Sequence, residues 1–153
     1  MKQQSGFSLI EVLVAFAISA IGLMGLATTQ MLSVKNINNT QFRTLANIYA
    51  YDMAERMRSN RAGLQSGAYN AIDGSEGIVE CNACTPANIA QLDAYEWNDT
   101  IKQDPASGGL PNGKGTVTKN GSVFNIVITW QEQIKDSSGT SIADQSFTLS
   151  VRM

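Results

Sequence analysis

Three side chains in this 153-residue sequence sit where they could do chemistry: Glu11, Cys81 and Cys84. Glu11 is the one ionisable group in residues 7–27, FSLIEVLVAFAISAIGLMGLA, an apolar run without proline. Burying a lone carboxylate in such surroundings costs a few kcal/mol even on the mildest scale unless it is neutralised or paired. No base lies within helical reach inside the run, and Lys2 stands nine residues earlier. The candidate partner is a cation from another chain. The alternative is a plain single-pass anchor whose Glu11 is protonated or sits near the headgroups.

Cys81 and Cys84, in Cys81-Asn82-Ala83-Cys84, are the whole cysteine inventory. Zinc would need two more ligands, and with no His in the chain those would have to be carboxylates. A redox dithiol would need a thioredoxin-like βαβ setting, which the flanking sequence lacks. In an oxidising compartment the pair reads as a structural disulfide closing a tight loop. The absence of His also removes the commonest general base and metal ligand. With no Gly-rich phosphate loop and no tight nucleophile constellation, neither catalytic nor cofactor nor metal residues are assigned, and the chain reads as a non-enzyme.

Charge narrows the partners. Net charge is −2 and charged residues make up 16% of the chain, which gives no bulk basicity for nucleic acid. Lys102, Lys114, Lys119 and Lys135 are scattered along the last third with acidic residues between them, and read as ordinary solvated charges. A membrane-anchored module binding DNA or surfaces through them is the alternative of another class.

The elements that position these groups follow from periodicity. At about 1.5 Å per residue, a helix over residues 7–27 spans roughly 30 Å, the thickness of a bilayer's hydrocarbon core. Lys2 before it and no acidic residue after it until Asp52 put the short end in the cytoplasm and the bulk across the membrane. The helical pattern continues to about residue 60. Phe42, Leu45, Ala46, Tyr49, Met53 and Met57 recur at spacings of three and four on one face, while Asp52 with Arg56 and Glu55 with Arg58 pair along the exposed side. Gly63 then reads as a C-cap.

Residues 64–114 are rich in Gly, Asn, Ser and Asp and hold all three prolines, so they read as loop apart from a short helix over residues 86–97. From Gly115 the period becomes two. An Asn120-Gly121 hairpin signal precedes Phe124, Ile126, Ile128 and Trp130, the bulkier and core-facing set. A polar loop over residues 136–139 leads to a last strand carrying Phe147, Leu149 and Val151. Three antiparallel strands should pack on the stripe around Leu45 and Met57.

The start of the chain, Gly6-Phe7-Ser8-Leu9-Ile10-Glu11, resembles the N-terminal signature of type IV pilins. Unlike a secretory signal, its small residue precedes the apolar run. The resemblance implies cleavage between Gly6 and Phe7 by a prepilin peptidase, N-methylation of Phe7, and pairing of Glu11 in one subunit with the Phe7 amine of its neighbour. The run AYDMAERMRSNRAG over residues 50–63 resembles the corresponding stretch of the PilV group of minor pilins. Together they imply a pilin-like α+β fold, with a long N-terminal α-helix, membrane anchor and domain spine in one, packed on a small antiparallel β-sheet.

The domains expected are a leader over residues 1–6, a transmembrane and filament-core helix over 7–27, and a periplasmic domain over 28–153. Its sheet occupies residues 115–153. Expected partners are prepilin peptidase, other minor pilins, the major pilin, the inner membrane and the pilus assembly platform. The chain would reside in a bacterial inner membrane or on the pilus, supporting adhesion, twitching motility or DNA uptake. A minor pseudopilin of a type II secretion system is the neighbouring alternative. Major pilins often close a disulfide near the C-terminus; here the cysteines lie between helix and sheet, which argues against the bulk filament subunit.

Overall fold

The computed structural model describes residues 6, 8–80, 83–136 and 139–153. Two compact units divide the chain, Met1–Asn38 and Asn39–Met153. Helix α1, Leu9–Ser59, is continuous, with no proline to break it. In the first unit it exposes its large apolar side chains, and in the second it carries one wall of a core.

That core is built as the sequence periodicity predicts. Ala46, Met53 and Met57 of the predicted stripe are buried, joined by Ala50 and Ala54, while Phe42, Leu45 and Tyr49 pack at its margin. The two additional alanines let α1 lie close to what it covers. Opposite stand Phe124, Ile126, Ile128 and Trp130, all on one face of β3 (Val123–Asp136) and all buried. Phe147, Leu149 and Val151 of β4 (Gly139–Arg152) are half-buried on the same face.

Among the described residues the sheet has four strands rather than three, in the order β1-β2-β3-β4, antiparallel throughout. The additional strand β1 is only Ala71–Ile72, paired with Thr118 and Val117 of β2 (Lys114–Asn120). Two residues carry no period, so residues 64–114 read as loop although Ile72, Tyr69 and Leu110 are buried. The β2–β3 turn also sits one residue later than the Asn-Gly signal suggests. Asn120 still pairs with Val123, and Gly121 takes the first loop position at φ 62°. Residues 137 and 138, in the predicted β3–β4 loop, lie outside the described residues; Asp136 pairs with Gly139.

Helix α1 stops for a reason the sequence did not disclose. Asn60 leaves helical geometry at φ −102°, ψ 65°, and its side chain accepts from the Gly63 N–H at 3.1 Å, opening a second helix, α2 (Arg61–Gln65). Gly63 is therefore inside α2 and caps nothing. It is glycine because space is short: a Cβ there would stand 2.8 Å from the Pro86 carbonyl and 2.4 Å from the Asn60 amide nitrogen.

Helix α3 (Pro86–Lys102) begins as expected, with Thr85 accepting from Asn88 N–H and Pro86 in the first turn. It runs past Trp97 to Lys102 because Asn98 and Ile101 are buried on its inner face. Asn98 accepts from the Gly115 N–H at 2.9 Å, and Trp97 donates from its indole to the Tyr49 carbonyl at 2.8 Å, fastening α3 to both sheet and spine.

Candidate functional site

The N-terminal signature falls at the start of α1. Ser8 supplies the opening carbonyl, accepting from Glu11 N–H at 3.0 Å and Val12 N–H at 3.3 Å. Glu11 lies in the first turn, exposed, where the positive end of the helix dipole answers part of its charge. Among the described residues no cation pairs with Glu11. Gly6 is exposed; Phe7, the other residue of the predicted cleavage site, lies outside the described residues.

Glu11 closes one end of a groove along α1 lined by Val12, Ala15, Phe16 and Ser19. Its one hydroxyl is satisfied internally, Ser19 donating to the Ala15 carbonyl at 2.8 Å. Thr28 and Thr29 likewise donate to the Gly25 and Leu26 carbonyls, each at 2.8 Å. Such bonds back to the preceding turn let hydroxyls enter an apolar medium. The same stretch exposes Leu9, Phe16, Ile21 and Met24 by 71% or more of their surface, and an 18-residue window of α1 reaches a mean hydropathy of 2.3 with none of it buried. A surface of this kind is unstable in water and calls for lipid or other helices. A Cβ on Gly22 or Gly25 would touch nothing within 4 Å, so nothing in the chain's own packing demands a glycine there.

In the second unit the predicted Asp52–Arg56 and Glu55–Arg58 pairs form. Arg56 does more than line a solvated face. It also reaches Asp93 at 3.3 Å and Glu96 at 3.1 Å on α3. Burial draws the Arg56 pKa down, but the hydrogen bonds it donates to Glu96 and Asp52 outweigh that and hold the guanidinium above its ordinary range. Asp93 in turn accepts from the Tyr69 hydroxyl, which receives the Asn60 amide at 3.1 Å. Burial, then the bond to Asp93, pushes the Tyr69 phenol well up. This network ties the segment over residues 50–63 to α3.

Among the described residues Lys102, Lys114 and Lys119 do not line one common cleft. Lys102 and Lys114 line a common cleft with Asp144, Lys102 donating to the Gly74 carbonyl at 2.8 Å. Lys119 lies elsewhere, over the Phe124 ring; the Lys135 side chain is outside those described. Cys84 is not a free thiol, and Cys81 lies outside the described residues.

Sequence reasoning missed one buried charge. Glu132 continues the inward row of β3 and is 2% exposed. Arg43 of α1 holds it with two hydrogen bonds and the Trp130 indole donates a third at 3.0 Å. The signal was available, since 132 has the parity of 124 to 130.

Among known proteins, residues 1–27 match the family model for the prokaryotic N-terminal methylation motif. No curated protein and no solved structure matches the chain. A methylation motif over residues 1–27, at the head of a long helix lying on a small antiparallel sheet, supports a type IV pilin-like protein, of the pilin or pseudopilin kind.

Proposed function

We propose that this chain is a minor pilin that primes or modifies type IV pilus assembly. Prepilin peptidase cleaves it between Gly6 and Phe7, Phe7 is N-methylated, and the helix over residues 7–27 holds the subunit in the inner membrane before carrying it into the fibre. The N-terminus is cytoplasmic and the domain over residues 28–153 periplasmic. The observation that carries this reading is the methylation motif over residues 1–27 at the head of a helix whose most apolar 18-residue window is wholly unburied.

In this reading Glu11 meets the Phe7 amine of a neighbouring subunit. Each charge answers the other's burial, and a subunit in the wrong register leaves both unpaired, so the pair specifies register more than stability. The resemblance of residues 50–63 to the PilV group favours a minor pilin over a minor pseudopilin. Other minor pilins and the major pilin are the partners, and the pilus then serves adhesion, twitching motility or DNA uptake. Cys81 and Cys84 form a local disulfide that fastens the loop before α3 without closing the fold.

The test is processing. Produced together with a prepilin peptidase, the chain should lose residues 1–6 and begin at Phe7 by intact mass, and a Gly6→Leu variant should keep its full length. An unshortened wild-type chain would refute the reading.

A further inference from the structure

At the end of the Asn39–Met153 unit where α1 terminates, Arg61, Leu64, Gln65, Lys119, Phe124 and Met153 line an open pocket of about 300 Å³. Its chemistry is divided. Phe124 is buried, and Leu64 and Met153 pack partly buried against the core, so one wall is apolar. The rim is cationic: the Lys119 ammonium stands 5.3 Å from the Phe124 ring centroid, and α2 contributes Arg61 with the Gln65 amide beside it. Among the described residues no carboxylate side chain lines the pocket.

Arg61 and Lys119, like Arg152, pair with no carboxylate among the described residues. Two cations that line one pocket together with apolar side chains are complementary to an anion that also carries an apolar group.

We propose that this pocket binds an acidic peptide segment of a partner protein. Arg61 and Lys119 take its carboxylate, the Gln65 amide donates beside them, and an adjoining apolar side chain rests on Leu64, Phe124 and Met153. A peptide fits better than a nucleic acid, because phosphate binding draws affinity from a row of cations, and this site offers two at a concave apolar wall. The inference does not depend on the minor-pilin reading.

The experiment uses the full chain in neutral detergent micelles, labelled at its methionine methyl groups, six in all with one at the pocket wall. The probes are a blocked leucine-glutamate-leucine tripeptide, its glutamine counterpart, and a thymidine hexanucleotide. The glutamate peptide should shift the Met153 methyl saturably. Affinity should fall about tenfold for the glutamine peptide, and about tenfold for Arg61→Gln or Lys119→Gln, with the buried Met57 methyl unmoved as evidence of an intact fold. Equal affinity for the two peptides, no movement of Met153, or tighter binding of the oligonucleotide would overturn the proposal.

Discussion

Arg43 on α1 grips Glu132 on β3 through two hydrogen bonds of 3.2 Å each, although the arginine side chain is 62% exposed and the glutamate 1%. The pair joins spine and sheet in the Asn39–Met153 unit beyond Ala46, the last buried residue of the stripe. A buried carboxylate that loses its cation retains the full penalty of desolvation. Arg43→Ala should therefore destabilise the domain by about 2 kcal/mol. Arg43→Ala combined with Glu132→Leu should recover most of the loss. Thermal unfolding of the detergent-solubilised chain, followed by the fluorescence of Trp97 and Trp130, checks both.

Trp97 packs directly onto Gly115. A Cβ at that glycine would stand 2.4 Å from two atoms of the indole ring and 2.9 Å from Ile101. The ring is fully buried and tied by its N–H to the Tyr49 carbonyl, so it has nowhere to retreat. Gly115→Ala should cost about 1 to 3 kcal/mol in the same unfolding assay.

Tyr69 gives the domain an alkaline limit. Its folded-state pKa lies above the ordinary value of 10.0, chiefly through burial and then through Asp93, so the folded state favours the neutral phenol. The stability this contributes is fully present below pH 10, and is lost as pH rises from there towards the raised folded value. Tyr69→Phe should remove part of that alkaline slope while weakening the fold at neutral pH, where the bond to Asp93 is lost. Unfolding midpoints measured between pH 7 and 11 would show a parallel decline in both proteins if Tyr69 had no part in it.

Glu11 should separate processing from assembly. Glu11→Gln leaves the peptidase site and the apolar helix intact, so the variant should be shortened and membrane-inserted like the wild type yet largely absent from sheared filaments. Equal recovery in filaments would show that the charge has no role in register.

Much of this organisation was legible because it rests on periods. The stripe from Phe42 to Met57 and the alternation from Phe124 to Trp130 each bury one face, and both elements form where the pattern puts them. What escaped was set by contacts distant in sequence. Gly63 looked like a helix end because glycine commonly is one, whereas its small size is required by Pro86, 23 residues on. Strand β1 is too short to show a period and exists because β2 offers Ala71 and Ile72 an edge. Arg56 looked solvated because Asp93 and Glu96 approach it from another helix. At the candidate site, the helix expected over residues 7–27 already put Glu11 near its start, and what the structure adds is the Ser8 carbonyl that opens α1.

In the proposed function the helix over residues 7–27 is processed and built into a filament. Intact mass and N-terminal sequence of the protein recovered from sheared surface filaments and, separately, from inner membranes test this. The expected result is a chain beginning at N-methylated Phe7, present in filaments at trace level beside an abundant major subunit. A chain beginning at Met1 and confined to the membrane would contradict it.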